Sequence, residues 1–139
     1  MYLLSDDDMV SHCYWKNDEE IIAFERKKEF GPGYYLMKDK TQEWRHLWPQ
    51  LSNDGHPSYC PTSDGLVVYD TYPNRARVQE IKIARDNESE VTTLAKVFAP
   101  FRYDNDTRCD LHPRWRSDGK MICFDSVFEG HRGLYVIKL

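Results

Sequence analysis

Short apolar runs separated by polar turns recur along the chain, and three times they recur in the same order. Each copy begins with a segment led by a histidine: His12-Cys13-Tyr14-Trp15, His56-Pro57-Ser58-Tyr59 and His112-Pro113-Arg114-Trp115. A polar turn follows: Lys16-Asn17-Asp18-Glu19, Pro61-Thr62-Ser63-Asp64-Gly65 and Arg116-Ser117-Asp118-Gly119. Next comes a short apolar run: Ile21-Ile22-Ala23-Phe24, Val67-Val68-Tyr69 and Met121-Ile122-Cys123-Phe124. The second and third copies continue with Asp70-Thr71 and Asp125-Ser126. Each copy then has a further run: Tyr34-Tyr35-Leu36-Met37, Val78 to Ile83 and Leu134-Tyr135-Val136-Ile137.

Runs this short, bounded by turn residues, predict strands. Asp-Gly between two of them is a hairpin signal, because glycine accepts the positive φ that tight turns require. The one helix-like stretch, Asp39 to Trp48, lacks good caps and reads as a strand and loop. Successive histidines are 44 and 56 residues apart, close to the period of a four-stranded propeller blade. The fold class predicted is all-β, a partial β-propeller of about three four-stranded antiparallel blades, the last incomplete. The blades fall near residues 10–48, 55–98 and 110–139, with no second domain. Their strands fall near 11–15, 21–26, 34–38 and 44–48, then 56–60, 66–71, 78–83 and 92–98, then 112–116, 121–126 and 134–139. Tyr2-Leu3-Leu4 reads as a stray outer strand, and Trp15, Tyr59 and Trp115 as equivalent positions. Propellers usually close with four to eight blades. Three would leave apolar flanks open, so the chain is expected to be part of a longer propeller or to assemble with other copies.

Composition narrows the function classes. No run approaches 18 apolar residues, which excludes a membrane-spanning helix. The N-terminus lacks the basic start and apolar core of a signal peptide. A net charge of −4 with dispersed basic residues argues against a nucleic-acid partner. Cys13, Cys60, Cys109 and Cys123 form no CxxC pair or zinc-ribbon spacing, and read as small strand residues.

Antiparallel connectivity brings residues 50–55 and 99–111 to one rim, with the loops 27–33, 72–77 and 127–133. His12, His56 and His112 each start an innermost strand and point toward this mouth. Several converging imidazoles suit a divalent transition metal, the alternative being that a histidine at a strand start is a feature of the repeat that hydrogen-bonds the backbone of a neighbouring blade. Asp110, two residues before His112, would face the same side of an extended strand and serve as a ligand or a turn cap. In the 99–111 loop, Phe101, Arg102, Tyr103, Asp104, Asn105, Asp106 and Arg108 mix aromatic faces with both charges. That mixture suits a sugar, with arginine forks for a carboxylate, and equally suits a solvated loop held by salt bridges. Arg75, Arg77, His131 and Arg132 would face the same rim, and their plain reading is surface charge. No nucleophile elbow or phosphate-cradling loop is present.

Gly55-His56-Pro57-Ser58-Tyr59 with Asp70-Thr71-Tyr72-Pro73, and Asp110-Leu111-His112-Pro113-Arg114-Trp115 with Ser117-Asp118-Gly119-Lys120 and Phe124-Asp125-Ser126, resemble the last blades of oligogalacturonate lyase-like propellers. The His-Pro-x-aromatic…Asp-Gly part is similar to TolB-like (WD40-like) propellers more widely. The resemblance covers roughly residues 10–139. It implies a seven-bladed cytoplasmic propeller that degrades pectin fragments, cleaving uronate-containing oligosaccharides by β-elimination around manganese. His56 and His112 would then be metal ligands, with Asp110 beside them, and His12 a catalytic base. The loop residues Arg102, Tyr103 and Arg108, read from their own chemistry rather than from the resemblance, are the substrate-binding candidates beside that site. This sequence has Asp110 where the family has a further histidine, and Thr107 near a family glutamine. The family's remaining active-site residues, an arginine included, would lie upstream of Met1. The competing expectation is a non-catalytic propeller whose rim binds a saccharide or a protein.

Overall fold

A computed structural model describes residues 1–139. Its eleven strands form three antiparallel sheets, joined by loops and one short 3-10 turn at Asn105–Thr107. The first sheet runs β1 (Met9–Trp15), β2 (Glu20–Lys27), β3 (Gly31–Lys38), β4 (Trp44–Leu47), in that order. The second runs β5 (Ser58–Tyr59), β6 (Leu66–Asp70), β7 (Val78–Arg85), β8 (Val91–Phe98). The third has β9 (Arg114–Trp115), β10 (Met121–Ser126) and β11 (Gly133–Lys138), with no fourth strand. The Asp-Gly turns close as expected, with Gly65 and Gly119 at φ 70° and 69°. No helix is long and apolar enough to cross a membrane.

Inner strands β1, β5 and β9 lie side by side, and the sheets stack face to face like blades. Between blades 1 and 2 the core is aromatic: Tyr34, Trp48, Tyr59 and Tyr69 pack with Ile22, Leu36 and Val67. Between blades 2 and 3 it is mostly aliphatic, built on Val68, Ile81, Leu111 and Ile122. Asp86 adds a polar clasp between blades 1 and 2. It takes Lys16 Nζ and the Tyr59 hydroxyl at 3.0 Å each.

Three details depart from the sequence reading. The inner strands of blades 2 and 3 have only two paired residues rather than five, because Pro57 and Pro113 have no N–H to donate. The His56 and His112 N–H groups are also diverted, to Asp70. Tyr2-Leu3-Leu4 is not a strand. Residues 1–8 strap the outer face of blade 1, with Leu4 on Ile21, Ala23 and Met37 and Asp7 bonded to Lys27 at 2.7 Å. Finally, Trp15, Tyr59 and Trp115 do share a register, facing Ile21, Val67 and Ile122. Their burial differs, since each is covered by the sheet before it. Tyr59 is 5% exposed and Trp115 half-buried, whereas Trp15, with no sheet before it in this chain, is 49% exposed.

Candidate functional site

The three histidines meet at one mouth. A cavity of about 290 Å³ is lined by His12, His56 and His112 together with the residues that follow each of them. The His56 ring lies between the others, its centroid 3.8 Å from His12 and 3.7 Å from His112. Local backbone features put them there. A bulge in β1 between Val10 and Cys13 turns His12 out of the regular alternation. His112 sits at φ 42°, so the chain from Asp110 to Pro113 is not extended, and the shared side expected for Asp110 and His112 does not follow. Gly55 allows β5 to approach β6: a Cβ there would lie 2.0 Å from the Asp70 carbonyl oxygen.

Asp70 organises the cluster. Its buried carboxylate accepts the His56 Nδ1–H at 2.9 Å and the backbone N–H groups of His56, Leu111 and His112 at 2.6, 3.1 and 3.0 Å. Burial alone would raise its pKa, but the His56 imidazole and the backbone donors outweigh that and hold it below the ordinary value. Nδ1 is committed to Asp70, and the other ring nitrogen, Nε2, is buried with no hydrogen-bond partner. Such carboxylate–histidine pairs are typical of metal-ligating imidazoles.

His12 is differently placed. Its Nε2 shares a 2.8 Å hydrogen bond with the Tyr72 hydroxyl, and Asp54 lies 4.0 Å away. Burial and then the neighbouring His56 lower its pKa, so it is neutral at neutral pH. Tyr72, desolvated and facing Asp54 and Asp110, is pushed up to about 12. Arg108 covers the Tyr72 ring, with its guanidinium carbon 4.4 Å from the centroid, and pairs with Asp110 at 2.7 Å.

The other expected residues are engaged elsewhere. Arg102 and the Tyr103 hydroxyl both donate to the Gly130 carbonyl, tying the 99–111 loop to blade 3. Arg77 is buried rather than a surface charge, clasping the carbonyls of Ala99 and Tyr103. Arg132 similarly holds the carbonyls of Thr107 and Arg108.

As arranged, no group of three or more His, Cys, Asp or Glu side chains is set to hold a metal ion. Rings fanning out from one ion at bond lengths of about 2.0–2.1 Å would keep their centroids about 4.5–5 Å apart, wider than these tilted, close-packed rings. The orphaned Nε2 of His56 fits a cation, whereas His12 is tied to Tyr72 and Asp110 to Arg108. Sequence reasoning missed Asp70, Tyr72 and Asp54 as parts of the site. The Asp-Thr-Tyr-Pro string was the available signal for the first two.

The class defined by these stacked sheets is the β-propeller. Among solved structures, the chain is similar to TolB from Acinetobacter baumannii, with a TM-score of 0.71 and 20% identity over 95% of this chain and 30% of that one. It is also similar to a putative TolB from Agrobacterium tumefaciens, with a TM-score of 0.61 and 15% identity over 96% of this chain and 45% of that one. No protein-family model matches the sequence, and no curated protein matches it. The fold is therefore that of TolB-like propeller blades, and the chain spans less than half the length of either structure. At these identities the likeness shows the fold alone.

Proposed function

We propose that the histidine-lined mouth acts on uronate-containing oligosaccharides, as a metal-assisted lyase of the oligogalacturonate type. His56 carries this reading: its Nδ1–H is fixed by Asp70, and its buried Nε2 is free of any protein partner. His56 and His112 would hold a divalent cation, manganese by the family resemblance. When bound, the cation would draw charge from the uronate carboxylate and acidify the adjacent C–H. His12, neutral and at the cavity edge, is the candidate base for that proton, with Tyr72 orienting its ring. Arg108 beside Tyr72 is the substrate-binding candidate nearest the histidines, and Arg102 and Tyr103 would shape the loop behind it.

Two observations favour the second reading, a non-catalytic rim that binds a saccharide or a protein. The three rings pack against one another, tilted by 51° and 37°, with centroids closer than rings sharing one ion would stand, and Asp110 is already neutralised by Arg108.

The two readings separate in one experiment on the protein expressed from its whole open reading frame. Manganese retention is measured by dialysis, and turnover by the absorbance of unsaturated uronate from trigalacturonate. The lyase reading expects His56→Ala and His112→Ala to lose metal and turnover, and His12→Ala to lose turnover alone. A protein that retains no manganese and generates no absorbance removes the lyase and leaves the binding rim.

A further inference from the structure

A second cavity, of about 400 Å³, lies between blades 1 and 2 on the same rim, within the range of small-molecule sites. Tyr72 and Asp54 line it, and both also contact His12, so they form a wall between this cavity and the histidines. Tyr69, Thr71, Asn74, Glu80 and Lys82 contribute the rest of its polar surface.

Tyr69 is the unexplained member. It is 2% exposed, and its hydroxyl has no hydrogen-bond partner. A buried hydroxyl without a partner costs stability, and a phenylalanine would fill the same aromatic core without that cost. The hydroxyl lies within the field of the Glu80 carboxylate, whose charge adds to burial in raising the Tyr69 pKa. Other groups around the cavity keep spare hydrogen-bonding capacity. Asn74 uses its Oδ1 for the N–H groups of Ala76 and Val78, leaving its amide NH2 to donate. Thr71 Oγ1 accepts from the Glu80 N–H at 3.0 Å, leaving its own proton to donate.

The charges select among ligands. Two carboxylates, Asp54 and Glu80, line the cavity with one ammonium, Lys82, which is already bonded to Glu80 at 2.5 Å and to Thr93 at 2.9 Å, while Lys96 pairs with the other Glu80 oxygen at 2.8 Å. An acidic ligand would meet the Asp54 carboxylate, which no lysine or arginine pairs, and no free cation. The Tyr69 ring, packed on Trp48 and Tyr34, offers no open face for a nucleobase. We propose that this cavity binds a neutral sugar unit, one hydroxyl of which bridges the Tyr69 hydroxyl and the Glu80 carboxylate. The inference concerns a separate cavity with a different charge preference, and it stands whether or not the histidines act on uronates.

The test titrates isotopically labelled protein with methyl β-D-galactopyranoside or with sodium galacturonate, and follows the backbone amides of Asn74 and Lys82. The neutral glycoside is expected to shift both amides, and galacturonate to do so at least about tenfold more weakly. Tyr69→Phe should weaken the glycoside by about tenfold, the worth of one hydrogen bond. The same variant should melt no lower than the parent, which separates lost binding from lost folding. Absent shifts with the glycoside, an unchanged affinity in Tyr69→Phe, or equal binding of galacturonate at these amides would each overturn the proposal. Galacturonate shifts confined to the amides of His56 and His112 would report on the other cavity and leave this result intact.

Discussion

Asp70 and His112 belong to different blades, yet the His112 N–H donates to the Asp70 carboxylate at 3.0 Å. The same carboxylate holds the His56 ring, so one side chain fixes one imidazole and the backbone of a second histidine, and docks blade 3 on blade 2. Asp70→Ala would leave the buried Leu111 N–H and the part-buried His112 N–H without their acceptor, together with the buried His56 ring. The expected loss is about 3–5 kcal/mol in denaturant unfolding. A loss below 1 kcal/mol (an order-of-magnitude threshold of about one ordinary hydrogen bond) would mean that water replaces the carboxylate and that the docking role is minor.

Tyr34, Tyr59 and Tyr69 predict how the fold responds to alkali. Burial raises all three above the ordinary value, reinforced by Asp70, Asp86 and Glu80 respectively. A raised folded pKa means that their contribution is complete below the unfolded value of about 10 and is lost as pH climbs through the folded value. Melting temperature should therefore fall above pH 10 or so. Tyrosinate absorbance should show three of the nine tyrosines ionising only with unfolding. All nine ionising in the folded protein would contradict this burial.

Trp115 and Trp15 hold the same register but not the same cover. Trp115 lies against the second core and donates its Nε1–H to the Ser58 carbonyl at 3.0 Å. Trp115→Ala should cost about 3 kcal/mol. Trp15→Ala, at a largely exposed position, should cost about 0.5 kcal/mol. Equal losses in thermal or denaturant unfolding would show that an additional sheet or another copy covers Trp15 in solution.

The blade repeat was legible in the sequence because strand signals are local. Asp64-Gly65 and Asp118-Gly119 mark hairpins, and the runs beside them alternate within a few residues. The fourth strand of blade 1 was recoverable because Asp39 to Trp48 had no caps for a helix. What escaped depends on stacking. Asp70 reaches Leu111 and His112 across 41 and 42 residues, and Tyr72 reaches His12 across 60, so no short window contains either contact. Arg77 looked like a loop charge, because nothing local reveals that the 99–111 loop folds down over it. The placement of the three histidines at one mouth was readable from the repeat alone. The tilted close packing of their rings was not, since it follows from the β1 bulge and the positive φ of His112.

Gly55 carries no chemistry, yet it has the least freedom to vary of any position around the mouth. The atom that every other residue would add there collides with the Asp70 backbone, and the Tyr34 hydroxyl stands 2.9 Å away on another side. Relief would require β5 to lift from β6, carrying His56 off its carboxylate and out of line with both neighbours. A saturation library at position 55, selected for folded protein, should return glycine almost alone, even though the same library at His56 accepts several residues. The architecture has moved the strictest demand on the sequence from the side chain that acts to the one that is missing.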